Sequence, residues 1–128
     1  MIQYLSTEQV VTLHQRLTSP LSGDPGIGDL RALDAAVLRP TLTFDGEDLY
    51  PTVAAKAAVL LHGLVTAAPF IAASKGTAAI SAECFLAANG YAVAASDQDL
   101  AQLVTAVELG ELSVEAVAIW FSQRTHRR

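Results

Sequence analysis

Between Thr52 and Thr66 the residues Val53, Ala57, Leu60, Leu61 and Leu64 recur at helical spacing, and most positions between them are alanine, valine or glycine. A helix that is apolar nearly all round has no face to offer water and must be wrapped by other elements. The apolar run extends to Ala73, but His62 and Pro69 interrupt it and it is short for a membrane span. It therefore reads as a buried central helix followed by a loop, which forces the rest of the chain to supply a surrounding bundle. The composition can do so: 52% of residues are hydrophobic and only 16% charged, so a core is easily filled and disorder is not expected. Abundant alanine and few aromatics favour close-packed helices over a sheet. With 128 residues, the span 1–128 is expected to be a single domain.

Helix boundaries are written along the chain. Ser6 with Gln9 three residues on has the form of a capping box, opening a helix that carries Val10, Leu13 and Leu17 and stops near Ser19-Pro20. Leu21 to Gly28 is rich in turn residues. Asp29 caps a second helix, with Leu30, Leu33 and Val37, that ends before Pro40. Thr41 to Tyr50 is polar, with Asp45-Gly46 as a turn, and suits a small two-strand flap on which Glu47 and Asp48 are solvated. The central helix and a loop over Ala67 to Ala73 come next, then a fourth helix from about Ser74 to Asn89 that stops at Gly90. Ser96 opens a fifth helix, stopped at Gly110, and Ser113 caps a sixth whose end, Arg124 to Arg128, is expected to fray. The expected fold is all-α: a compact six-helix bundle with, at most, that β-flap.

Charge and chemistry exclude several functions. A net charge of −5 argues against direct nucleic-acid binding, because phosphate recognition needs a basic face. The one basic cluster, Arg124, Arg127 and Arg128, reads as a solvated helix end. Cys84 is alone, so no internal disulfide exists; it reads as a small buried hydrophobe, and a reducing cytoplasm is expected. The start, Met1-Ile2-Gln3-Tyr4, shows no secretion signal. No Cys/His cluster suggests zinc, no metal site is expected, and no paired carboxylates suggest hydrolysis.

The informative stretch is Ala68-Pro69-Phe70-Ile71-Ala72-Ala73-Ser74-Lys75-Gly76-Thr77-Ala78. Two readings of it stand. Ser74 caps the fourth helix with Lys75 solvated, or Ser74, Lys75 and Thr77 line an anion or nucleotide site at the helix N-terminus. The stretch resembles, register for register, the Fic/Doc family motif His-Pro-Phe-x-Asp-Gly-Asn-Lys-Arg-Thr-Ala. Further blocks resemble the family's Doc subgroup: Met1 to Ser6 followed by Leu13-His14, Gly46 to Thr52, Lys56 to Leu64, and Phe85 to Tyr91.

The resemblance implies a fold, a chemistry and a partner. In the family the motif histidine takes a proton from an acceptor hydroxyl, the acid holds magnesium, and the asparagine and arginine grip nucleotide phosphates. Doc members phosphorylate elongation factor Tu and are neutralised by a Phd antitoxin laid in a groove between helices. Here those working letters are Ala68, Ala72, Ala73, Ser74 and Gly76. A methyl group accepts no proton, alanine offers magnesium no side-chain oxygen, and glycine has no guanidinium. The resemblance thus implies a Doc-like protein impaired as an enzyme, acting through a Phd-like antitoxin or another protein, with no cofactor required. The alternative is an active phosphotransferase or nucleotidyltransferase with rewired residues. It would use ATP and magnesium, act on a target such as elongation factor Tu, and employ His62 as a replacement base rather than as a packed core histidine.

Overall fold

The structure is a computed structural model, and it describes residues 1–18 and 26–128. The expected helix stop near Ser19-Pro20 and most of the turn-rich stretch from Leu21 lie outside the described residues. Six α-helices are present among those described: α1 (Thr7–Leu17), α2 (Leu30–Leu38), α3 (Val53–Ala67), α4 (Ser74–Ala88), α5 (Asp97–Glu108) and α6 (Val114–Arg124).

The caps fix these boundaries. Ser6 and Gln9 form the reciprocal capping box at α1, and Ser96 and Asp99 form another at α5. The side chains of Asp29, Thr52 and Ser113 each accept a hydrogen bond from a backbone N–H of the first turn they open. Pro40 ends α2 by opening a short 3-10 turn, Arg39–Thr41, rather than an extended segment. Gly90 and Gly110, at φ +88° and +76°, stop α4 and α5 in the left-handed conformation that glycine adopts without strain.

Helix α3 is the axis of the bundle, packed by α2, α4, α5 and α6. Its residues Ala57, Ala58, Val59, Leu60, Leu61 and Leu64 are all but inaccessible, and they meet Leu33, Val37, Phe85, Leu86, Val107, Val117 and Phe121 from its neighbours. Gly63 lets α2 approach closely, since a Cβ there would already touch the Cβ of Ala36 at 3.4 Å.

The flap exists as β1 (Thr43–Phe44) paired antiparallel with β2 (Glu47–Asp48). Asp45 and Gly46 at positive φ make the turn that matches the strands' twist. Two expectations need correcting. Asp48 is not merely solvated: its carboxylate lies 3.0 Å from the Nζ of Lys56, a buried lysine on α3. The chain end does not fray. Thr125–Arg127 forms β4, antiparallel to β3 (Tyr91–Val93), because α6 delivers it alongside the strand that leaves α4. A three-residue basic strand has too little β propensity to announce itself; its pairing is set by a partner far away in sequence.

Candidate functional site

Helix α3 ends at Ala68, which takes the left-handed conformation (φ 43°, ψ 56°) and turns the chain. Pro69 and Phe70 then turn inward, and Ile71 and Ala72 turn outward. Ala73, also left-handed at φ 62° and ψ 26°, starts α4. The loop is pinned to the segment before α2 by three backbone hydrogen bonds. Gly28 and Asp29 donate to the Pro69 carbonyl at 2.8 and 3.0 Å, and Ile71 donates to the Gly26 carbonyl at 2.8 Å.

A fourth tie comes from His14. Its ring is 1% exposed and stacks on Phe70 with centroids 3.9 Å apart and planes 7° apart. Its Nε2 lies 2.8 Å from the Ala72 carbonyl. A carbonyl can only accept, so Nε2 carries the proton and donates. The motif loop thus keeps its shape through His14, Gly26, Gly28 and Phe70. None of these belongs to the replaced letters.

Burial sorts the motif into two classes. The surviving letters Phe70, Thr77 and Ala78 are 5%, 0% and 0% exposed, and Pro69 is buried as well. The replaced letters Ala68, Ala72 and Gly76 are exposed, while Ala73 and Ser74 are half-buried. Lys75 is the exposed survivor.

The Ser74, Lys75 and Thr77 side chains do not converge. Ser74 is the first helical residue and makes no cap; that place is held by Ala73, and the Ser74 hydroxyl instead folds back on the Phe70 N–H and carbonyl at 3.3 and 3.4 Å. The expectation of a capping Ser74 fails because capping needs the residue before the helix, in extended backbone. Lys75 reaches across to α5 and pairs with Glu108 at 3.3 Å, both half-exposed. Thr77 is inaccessible and its hydroxyl has no partner among the described residues. Gly76 is overhung by Leu17, whose Cδ1 would lie 3.3 Å from any Cβ there.

His62 stands about one and two-thirds turns before Ala68 and interacts with Arg39, the Leu112 backbone and Glu115. Burial, then the Arg39 charge, lowers its proton affinity below the ordinary value of 6.5, with the Leu112 backbone and Glu115 opposing. Cys84 is half-buried, not fully so, and burial followed by the neighbouring Glu83 pushes its thiol upward despite Arg16. A raised thiol is a poor nucleophile. Glu83 is itself raised by burial and by Asp97.

Magnesium does not fit the loop. Ala72 offers only a carbonyl already engaged by His14, and no group of three or more His, Cys, Asp or Glu among the described residues could hold a metal ion. Two grooves flank α4. One, about 610 Å³, lies against α1 and is lined by Leu5, Glu8, Thr12, Leu13, Arg16 and Cys84. The other, about 360 Å³, lies against α5 with Ile80, Leu100 and Val104 as its floor. Among the described residues no helix is long and apolar enough to cross a membrane.

His14 and Lys56 are the polar residues that composition and periodicity leave unassigned. His14 stands on the core face of α1 and Lys56 in the first turn of the buried α3, and the Leu13-His14 pair is visible only as part of a resemblance.

These features define a class: helical proteins in which a buried central helix passes, through a pinned Pro-Phe loop, into the N-terminus of a second helix. A profile of the Fic/DOC family matches residues 4–86. Toxin Doc of Mycolicibacterium smegmatis is 35% identical over 120 residues, covering 92% of this chain and 90% of that protein. The chain belongs to the Fic/DOC family and is a homologue of Toxin Doc.

Proposed function

We propose that the protein is a Doc-like member of a toxin–antitoxin pair that has lost phosphotransfer and acts by binding, its partner being a Phd-like antitoxin. One observation carries this reading: the motif positions that fold are intact and buried, whereas those that would hold proton, metal and phosphate are replaced and are exposed at Ala68, Ala72 and Gly76 and half-buried at Ser74. A protein under no constraint would lose both kinds alike. No second reading gains from His62, whose neighbours are Arg39, Leu112 and Glu115.

Loss of a general base alone typically costs about 10²–10⁴-fold in rate, and here the metal and phosphate groups are missing too. Incubated with ATP, magnesium and elongation factor Tu, the purified chain is expected to transfer no phosphate; brisk labelling of the factor overturns the reading. For the partner, the α1–α4 groove is the larger and offers both apolar floor and charged rim for an amphipathic helix. Thr12→Arg should weaken binding of a Phd-like antitoxin at least tenfold, while Ala101→Arg on the α4–α5 side should not. If the two variants exchange roles, the groove is reassigned and the partner stands. If the antitoxin does not bind the unaltered chain at micromolar concentration, the partner reading falls.

A further inference from the structure

The register of β3 and β4 leaves one strand edge open. Ala92 faces His126, Ala94 donates to the Arg124 carbonyl, and Arg128 donates to the Gly90 carbonyl at 2.9 Å. In an antiparallel pair the bonded residues alternate, so the N–H and C=O groups of Thr125 and Arg127 point away from β3. Three arginines lie on β4 or next to it in the chain. The Arg124 guanidinium lies 4.5 Å from the Trp120 ring centroid and that of Arg127 lies 5.5 Å from the Tyr91 ring, so two of the three are held over aromatic faces. None of Arg124, Arg127 and Arg128 has a carboxylate partner among the described residues, in a chain whose net charge is −5. Beside Thr125 opens a cavity of about 220 Å³, bordered by Val53, Leu86, Tyr91 and Ser122. The Thr125 hydroxyl is buried and has no partner among the described residues.

From this combination we infer that β4 is a docking edge for an extended acidic segment of a partner protein, which adds to the sheet as a third strand. Strand addition draws affinity from main-chain hydrogen bonds and selectivity from pockets that take alternate side chains. The edge supplies the first through Thr125 and Arg127, the cavity the second, and the arginines select acidic over basic sequence. A second copy of this chain is the wrong occupant, since β4 against β4 would set like charges opposite one another. Nucleic acid is disfavoured by the overall negative charge and gains nothing from a strand edge. The inference is independent of the α1–α4 groove, with which the cavity shares no lining residue.

The test uses the full chain and a capped, fluorescein-labelled octapeptide of alternating glutamate and valine. Its controls are a lysine–valine version, the acidic peptide N-methylated at alternate residues, and a labelled DNA duplex. The acidic peptide is expected to raise anisotropy, to perturb the fluorescence of Trp120, the single tryptophan, and to slow amide exchange at Thr125 and Arg127. Exchange at Ala92 and His126, already paired to each other, should not change. Arg127→Glu with Arg128→Glu should weaken binding at least tenfold. Arg128→Glu alone, which disturbs no ring contact, should weaken it about threefold without altering the melting temperature. Equal binding of the lysine peptide or of the N-methylated one overturns the proposal. So does preferred binding of DNA, unchanged exchange at Thr125 and Arg127, or no binding at roughly 1 mM, the weak end of specific affinity.

Discussion

Ala73 sits at φ 62° where an L side chain crowds the backbone, an arrangement that costs about 1–2 kcal/mol and that glycine escapes. Ala73→Gly is therefore expected to stabilise the protein by about 1 kcal/mol, the strain relief outweighing the extra freedom given to the unfolded chain. A shift of the denaturant midpoint upward with unchanged slope checks this; a downward shift would mean that the loop does not hold this backbone. His14 acts on the same loop by another route. His14→Ala loses the stack on Phe70 and leaves a cavity, and should cost about 3 kcal/mol. His14→Phe keeps the stack and loses only the bond to Ala72, whose carbonyl lies near solvent, so it should cost about 1 kcal/mol. The order of the two variants, read from equilibrium unfolding, distinguishes a packing role from a hydrogen-bonding one.

At the scale of elements, the flap is fastened to α3 by a buried cation. Lys56 is 1% exposed, and its Nζ contacts Asp48 at 3.0 Å, the Pro40 carbonyl at 3.4 Å and the Tyr4 ring at 5.6 Å. Removing Asp48 strands that charge, whereas replacing the lysine by an apolar residue of similar length lets Asp48 return to water. Asp48→Ala should thus cost about 2 kcal/mol and Lys56→Met markedly less, with faster amide exchange in the flap in both. Titration reaches a different contact, between α3 and the turn before α6. Because burial and Arg39 lower His62 below its ordinary 6.5, the unfolded chain takes the proton first on acidification. The contribution of His62 to stability is complete above 6.5 and declines as pH falls from there toward its folded value. His62→Gln should flatten the fall in melting temperature between pH 7.5 and 5.5; an identical slope in both proteins would remove His62 as its source. How far such elements could be read in advance depended on where their determinants lie. The caps at Ser6, Asp29, Ser96 and Ser113 act within one turn and are legible in sequence. Strand β4 is not, because only its distant partner Tyr91–Val93 makes it a strand. Neither are the buried ends of His14 and Lys56, since a polar residue on a core face gives no local sign of what will satisfy it.

Across the whole molecule, the positions that set the fold and those that would perform chemistry are separated, and that separation makes the proposed loss of phosphotransfer testable as a reversible one. The loop's ties run through His14, Gly26, Gly28 and Phe70, so restoring the motif need not rebuild the loop. Ala68, Ala72 and Gly76 are exposed, and larger groups there displace solvent rather than core. Ala73→Gly relieves strain, and Ser74→Asn must only give up the hydroxyl contacts with Phe70. At Gly76 the one obstacle among the described residues is Leu17 Cδ1 at 3.3 Å, the far end of a side chain that is 45% exposed. The fivefold variant Ala68→His, Ala72→Asp, Ala73→Gly, Ser74→Asn and Gly76→Arg should therefore fold with stability within about 1 kcal/mol of the parent. With ATP and magnesium it should transfer phosphate at least about 10²-fold faster than the parent, the low end of what a restored general base contributes. A variant that folds, matches the parent in melting temperature and stays inert would place the loss beyond the motif. The α4–α5 groove, which Lys75 and Gly76 line, and the Lys75–Glu108 pair would then be the places to look, because both adjoin the first turn of α4.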